Sequence, residues 1–181
     1  MEGLIRSRVI DILDDLPRGQ TFDWVERVSI NLTTQMLATL FDFPFEQRSK
    51  LTYWSDVAVG SPEMAGGNIS RELRMSALAE CLEAFTTLWH QRKGGEGSFD
   101  LISLLQNNPD TADMVDRPPE YLGNLLLLIV GGNDTTRNSI SGGVLALNQN
   151  PAEYDKLRAD PGLIPSMVSE IIRWQTPLAH M

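Results

Sequence analysis

The sequence predicts an all-α fold, and three observations carry that prediction. Apolar residues recur three and four apart through nearly every segment. Strand-like alternation is almost absent. The breaks fall at Pro and Gly clusters rather than at hairpin pairs. A chain of 181 residues is long enough for one domain with a sizeable core.

The elements follow in order. Residues 2–16 read as an amphipathic helix stopped by Pro17-Arg18-Gly19. A second helix is expected over 22–41, with Thr21 as its cap. Pro44 opens a third that reaches Val59. Gly60-Ser61-Pro62 and Gly66-Gly67-Asn68 mark a loop. A long helix over 70–93 ends at Gly94-Gly95-Glu96-Gly97, and a short one covers 98–107. Pro118-Pro119 introduces the longest helix, about 119–148. Asn150-Pro151-Ala152-Glu153 is a start signal, with Asn as cap, Pro at the first position and Glu at the third. That helix runs to Ala159, where Asp160-Pro161-Gly162 breaks it. Pro165 opens a last helix through Trp174, and Pro177 stops it.

Charge excludes some functions. Fifteen Lys and Arg against 24 Asp and Glu give a net charge of −9. Nucleic acid calls for a basic footprint, and an anionic membrane surface for a polybasic one. Arg71, Arg74, Arg92 and Lys93 remain candidates for a local basic patch toward an acidic protein. A single cysteine, Cys81, permits no internal disulfide and suits a reducing compartment. No signal-peptide pattern opens the chain. The longest apolar run, around 122–130, is too short to span a bilayer. The expectation is a cytoplasmic protein with no membrane span and no nucleic-acid partner.

Gly131-Gly132-Asn133-Asp134-Thr135-Thr136 interrupts an apolar helical run, between Leu125-Leu126-Leu127-Leu128-Ile129-Val130 and the stretch from Ile140 to Leu147. Two glycines inside a helix cost roughly 1 kcal/mol each against Ala, and buried polar groups need partners. Glycine lets a planar group approach the backbone, because no Cβ holds it off. Residues three and four apart share a helical face, so Gly131, Asp134 and Thr135 lie close together. The Thr135 hydroxyl can bond back to the Gly131 carbonyl and open a small groove in the helical ladder. A hydroxyl and a carboxylate beside a flat site suit proton delivery to a bound small molecule. A glycine-rich helix crossing explains the same residues without chemistry. A phosphate-loop reading is poor, since the Gly-Lys-Ser/Thr ending and the preceding strand are lacking.

Glu170-Ile171-Ile172-Arg173 places an acid and a base at i, i+3 in an apolar helix containing Met167, Val168 and Trp174. On a surface such a pair is weak. If buried, it needs further hydrogen bonds and acts as a structural lock.

The two motifs, in this order and spacing and with Asn150-Pro151 between them, resemble the cytochrome P450 family. Its long central helix carries Ala/Gly-Gly-x-Asp/Glu-Thr-Thr/Ser, which Gly131 to Thr136 matches throughout. Its Glu-x-x-Arg matches Glu170 and Arg173. Phe41-Asp42-Phe43-Pro44-Phe45-Glu46, Leu51-Thr52-Tyr53-Trp54-Ser55-Asp56 and Arg137-Asn138-Ser139 resemble the bacterial CYP153 alkane hydroxylases more closely. The resemblance implies that residues 1–181 are the central helical part of a P450 domain, truncated at both ends. It implies haem b as cofactor and terminal hydroxylation of medium-chain alkanes or fatty acids with O2. Electrons would come from NADH through a ferredoxin reductase and a ferredoxin.

Residue by residue, Gly131 and Gly132 would lie against the haem face. Thr135 would hold the water that brings protons to the oxygen, and Asp134 would feed them. Glu170 and Arg173 would be structural. His180 would line the pocket or meet a haem propionate. Leu126, Leu127 and Val130 are candidates for substrate lining, with two of the three expected to be plain core. The family's metal ligand is a Cys thiolate in a glycine-rich loop beyond Glu-x-x-Arg, and no such loop stands in this sequence. Cys81 sits in a helix without one and is expected to be an inert buried thiol. No metal ligand is therefore assigned, and the 181 residues alone are expected to bind haem poorly and to be inactive. His90 reads as a helix-end residue, and Trp24, Trp54, Trp89 and Trp174 as core or half-buried packing. Competing readings are a P450 acting on steroids or terpenes and a non-catalytic helical interaction module.

Overall fold

The computed structural model describes residues 1–60, 69–92 and 100–178. Among the described residues every regular element is helical. The loop markers at 61–68, the glycine run with Lys93 at 93–99, and His180 lie outside the described residues. The described residues form eight α-helices in order: α1 Glu2–Asp14, α2 Asn31–Phe41, α3 Ser49–Val59, α4 Arg71–Arg92, α5 Leu101–Asn107, α6 Pro118–Gln149, α7 Pro151–Ala159 and α8 Ile164–Gln175. The chain divides into two compact units, Thr34–Asn133 and Met1–Thr33 with Asp134–Met181. Residues 118–133 of α6 belong to the first unit and 134–149 to the second.

The Thr34–Asn133 unit is built on aromatic packing. Phe41 and Phe85 meet edge to face at 5.0 Å, and Phe43 and Trp54 at 5.8 Å. Trp89 meets Tyr121 at 5.2 Å, and the Tyr121 hydroxyl donates to the Phe85 carbonyl. Such ring pairs add about 0.5–1.5 kcal/mol beyond the area they bury. Burial keeps the Tyr121 phenol neutral by pushing its pKa up. From α6, Tyr121, Leu125, Ile129 and Asn133 are fully buried at steps of four, one ridge of the helix.

Polar groups at this core are satisfied. The Asp100 carboxylate caps α5, accepting from the backbone of Ile102 and Ser103 and from the Ser103 hydroxyl. Arg92 donates to the carbonyls of Phe41 and Asp42 and pairs with Asp100 at 3.4 Å. It holds the turn in which Asp42 takes a positive φ of 48°. Arg92 is therefore a brace with its side chain 14 % exposed, not part of a basic patch. Arg74 donates to the Gly60 carbonyl.

The other unit differs from the sequence expectation at three places. The helix expected over 22–41 begins with a π-helical turn, Val25–Ile30, before α2. This turn buries Val28 and Ser29, and the Ser29 hydroxyl accepts from Ser141 at 2.8 Å. Its start is held by Asp23, whose carboxylate accepts from the Glu26 amide, so Asp23 does the work assigned to Thr21. Asn150 does not cap α7 with its side chain. Its amide instead donates back to the Ala146 carbonyl at the end of α6, while Pro151 opens α7 as expected.

Candidate active site

α6 passes through residues 131–136 as one continuous α-helix, so the motif does not break the helix type. What distinguishes the segment is its side chains. At Gly131 an added Cβ would meet nothing within 4 Å. At Gly132 it would come to 2.8 Å from Leu37 Cδ2, and Leu37 is almost wholly buried. The two glycines thus do different things. Gly131 leaves a face of the helix open, and Gly132 admits α2 at close range, a packing role that an expected pair of haem-facing glycines did not include.

Helical spacing places Leu127, Gly131 and Thr135 on one line of α6, with Asp134 beside them. Leu127 is 72 % exposed, a large apolar side chain flanking the open glycine. Leu126 and Val130 are half-buried on the flank of the same helix. None of the three belongs to the core, contrary to the expectation for two of them. Leu125 and Ile129 occupy the ridge that faces it.

Asp134 and Thr135 are both half-buried. Arg137 Nη2 lies 2.6 Å from Asp134 Oδ1, with both side chains mostly covered. Ser139 donates to the Thr135 carbonyl at 2.8 Å. The sequence reading gave no role to Arg137 or to Asn133, a fully buried amide at the motif's variable position. The i, i+3 spacing of Asp134 and Arg137 was the available signal for the first. A polar residue on the ridge of Tyr121, Leu125 and Ile129 was the signal for the second.

The Glu170–Arg173 pair is formed and bidentate. Arg173 Nε and Nη2 donate to the two Glu170 oxygens at 2.7 and 2.6 Å. It is not buried: the side chains are 66 % (Arg173) and 58 % (Glu170) exposed. Those bonds hold the Glu170 carboxyl below its usual range. The physical reason for the exposure is the packing of α8. Ile171 lies against α6 at Gly143, where an added Cβ would come to 2.8 Å from Ile171 Cδ1. Gly142 likewise leaves room for the Gln175 carboxamide. The other sides of α8 face outward, with Trp174 71 % and Ile172 52 % exposed. Trp174 is thus not core packing, whereas Trp54 and Trp89 are, and Trp24 is half-buried. A groove of about 620 Å³ runs between the end of α6, α7 and α8, lined by Gly143, Ala146, Met167 and Ile171 among others. It does not include the residues of the 131–136 motif.

The residues present suit a flat prosthetic group in one respect. Gly131 offers an open, Cβ-free helix face with an acid and a hydroxyl beside it. Cys81 is fully buried in the aromatic core, and burial pushes its thiol up to about 12, so no thiolate forms there at neutral pH. Among the described residues no three His, Cys, Asp or Glu side chains cluster at metal-binding range, and no helix is long and apolar enough to cross a membrane. His90 is exposed near the end of α4.

This helical architecture, with its Gly-Gly-Asn-Asp-Thr-Thr helix and its Glu-x-x-Arg pair, is that of the helical part of cytochromes P450, and the chain resembles that family over its whole length. Its likeness within the family is to the CYP153 group. A cytochrome P450-153 from Novosphingobium aromaticivorans superposes with a TM-score of 0.84 at 47% identity, covering all of this chain and 42% of that one. CYP153D17 from Sphingomonas sp. gives a TM-score of 0.80 at 44% identity, covering 96% of this chain and 43% of that one. Linalool 8-monooxygenase of Pseudomonas putida is 32% identical over 186 residues, which take in all of this chain and 44% of that enzyme. The chain thus spans under half the length of each of these relatives. No protein-family model matches the chain.

Proposed function

We propose that this chain is the oxygen-activating helical part of a haem-dependent monooxygenase that hydroxylates the terminal carbon of medium-chain alkanes or fatty acids. The observation that carries this reading is the open face of α6 at Gly131, flanked by Asp134 and Thr135 on one side and exposed Leu127 on the other. Likeness to CYP153 structures at 47% and 44% identity supports the P450 monooxygenase class, and the substrate class rests on the resemblance of the sequence motifs to CYP153 alkane hydroxylases. When bound, the haem supplies the activation of O2. The chain's own residues do the rest. Gly131 lets the ring system approach α6, because a Cβ there would occupy the approach. Leu127, with Leu126 and Val130 on its flank, offers apolar surface to an aliphatic chain. The Thr135 hydroxyl holds a water, and the Asp134 carboxylate takes protons from bulk solvent and passes them on. His180 is proposed to meet the pocket or a propionate. Glu170 and Arg173 stabilise the end of α8.

The metal's thiolate ligand would come from outside these 181 residues. Electrons would come from NADH through a ferredoxin reductase and a ferredoxin, in the cytoplasm. The test is the full-length haem-loaded protein carrying this chain, offered n-alkanes, fatty acids, a linear terpene alcohol and a steroid. Terminal alcohols from the first two are expected. Hydroxylation of the terpene alone would shift the substrate class to that of the linalool enzyme, and failure of the full-length protein to take up haem would favour a non-catalytic interaction module. For the 181 residues alone, the reduced carbon monoxide difference spectrum is expected to show no thiolate-type band.

A further inference from the structure

We propose that Arg137 is a positioning residue for proton delivery, holding the Asp134 carboxylate in one orientation on α6. The inference rests on the proton-relay reading of Asp134 above and goes beyond it in assigning a residue that reading does not contain. Among the described residues two acid–arginine pairs share the same spacing and the same 2.6 Å contact, Asp134–Arg137 and Glu170–Arg173. They differ in surroundings. The Glu170 pair is more than half exposed, whereas the Asp134 and Arg137 side chains are 16 % and 17 % exposed. In water the attraction of such a pair is largely screened and its geometry is loosely held. Where most solvent is excluded, a charge-assisted bond is shorter-lived only at a real cost, and it fixes the rotamer of both partners.

Helical geometry gives that fixation a direction. Arg137 is one turn C-terminal to Asp134 and reaches back to it. One carboxylate oxygen, Oδ1, is engaged by the guanidinium. Asp134 is thereby aimed along the helix. A group that must accept a proton and hand it on works only from a limited set of orientations. Arg137 sets which orientation is the resting one, and it acts through Asp134 rather than on substrate.

The test uses the full-length haem-loaded protein with Arg137→Met, Arg137→Lys, Asp134→Asn and the double variant. Arg137→Met is expected to lower turnover about tenfold, a fraction of the ~10²–10⁴ that general acid–base catalysis supplies as a whole. The solvent deuterium isotope effect on turnover should rise at least about twofold, with the spectroscopic substrate dissociation constant unchanged, because only proton delivery is affected. Arg137→Lys should recover most of the loss. The double variant should be no slower than Asp134→Asn, since a residue that acts through another adds nothing once that other is gone. Independently of activity, nitrogen-15 spectra should show slowed rotation of the Arg137 guanidinium in the wild type and its release in Asp134→Asn. Additive losses in the double variant, or an unchanged isotope effect in Arg137→Met, overturn the assignment. Should Arg137→Met fail to fold, Arg137→Lys and the guanidinium measurement decide: a guanidinium that rotates freely in the wild type sinks the proposal. Full turnover in Asp134→Asn would instead overturn the relay reading itself.

Discussion

The two halves of α6 pack by opposite means. Residues 118–133 present Tyr121, Leu125 and Ile129, large side chains that disappear into an aromatic core. Residues 134–149 meet α8 through Gly142 and Gly143, where the absence of a side chain is what allows Ile171 and Gln175 to come close. The first half derives its stability from buried area, at roughly 25 cal/mol per Å². The second meets α8 by close approach at its glycines. The changeover falls at Gly131 to Thr136, and there Gly131 leaves one face of the helix open while Gly132 packs on Leu37 and Asn133 is buried.

The largest effect that tests this contrast lies in the core of the first half. Phe85 is fully buried and packs on the rings of Phe41, Phe43 and Trp54. Phe85→Ala should cost about 3–5 kcal/mol, read as a fall in the urea midpoint. A loss under about 1 kcal/mol, well below that range, would mean the aromatic cluster is not what holds this half of α6.

The next effect is smaller and changes sign between neighbours. Gly131→Ala enters open space and should stabilise by up to about 1 kcal/mol through helix propensity. Gly132→Ala drives a methyl against buried Leu37, and overpacking costs about 1–3 kcal/mol. Even after the same propensity gain, it should come out neutral to destabilising. Gly143→Ala meets only the flexible end of half-buried Ile171 and should fall between the two. Denaturation midpoints of the three variants check the order. Equal shifts at Gly131 and Gly132 would remove the distinction between an open face and a packed one.

The helical order was legible because Pro, Gly and Asn punctuate it and because three-to-four spacing survives in nearly every segment. The central helix was placed to within a residue at each end: 119–148 expected, Pro118–Gln149 found. The π-helical turn at Val25–Ile30 was not legible, since an inserted residue leaves the local composition helical. Capping by Asp23 rather than Thr21 turns on which side chain reaches an amide, and spacing alone does not decide that. At the motif, the residue types pointed to the chemistry. The division of labour between Gly131 and Gly132 depended on α2, a partner about a hundred residues away in the chain that no local pattern contains. Arg137 was overlooked because an i, i+3 pair on a sequence says nothing of its exposure, and exposure separates it from Glu170–Arg173.

The smallest effect concerns that second pair, and it separates a buried lock from an exposed clasp. Hydrogen bonds from Arg173 lower the Glu170 carboxyl in the folded state. A carboxyl whose folded pKa lies below its unfolded one contributes stability above the unfolded pKa, and that contribution is lost as pH falls through the folded one. Wild type and Glu170→Gln should therefore melt together in acid and separate above the carboxylate range. Because both side chains are mostly exposed, the separation should be slight, and it should shrink further on the order of 1 M salt, where screening acts within about 3 Å. A large loss that salt does not touch would mean that Glu170 and Arg173 are desolvated in the working protein. The pair would then be the lock its apolar helix suggested, and the contrast with Asp134–Arg137 would have to be drawn on direction and reach rather than on burial.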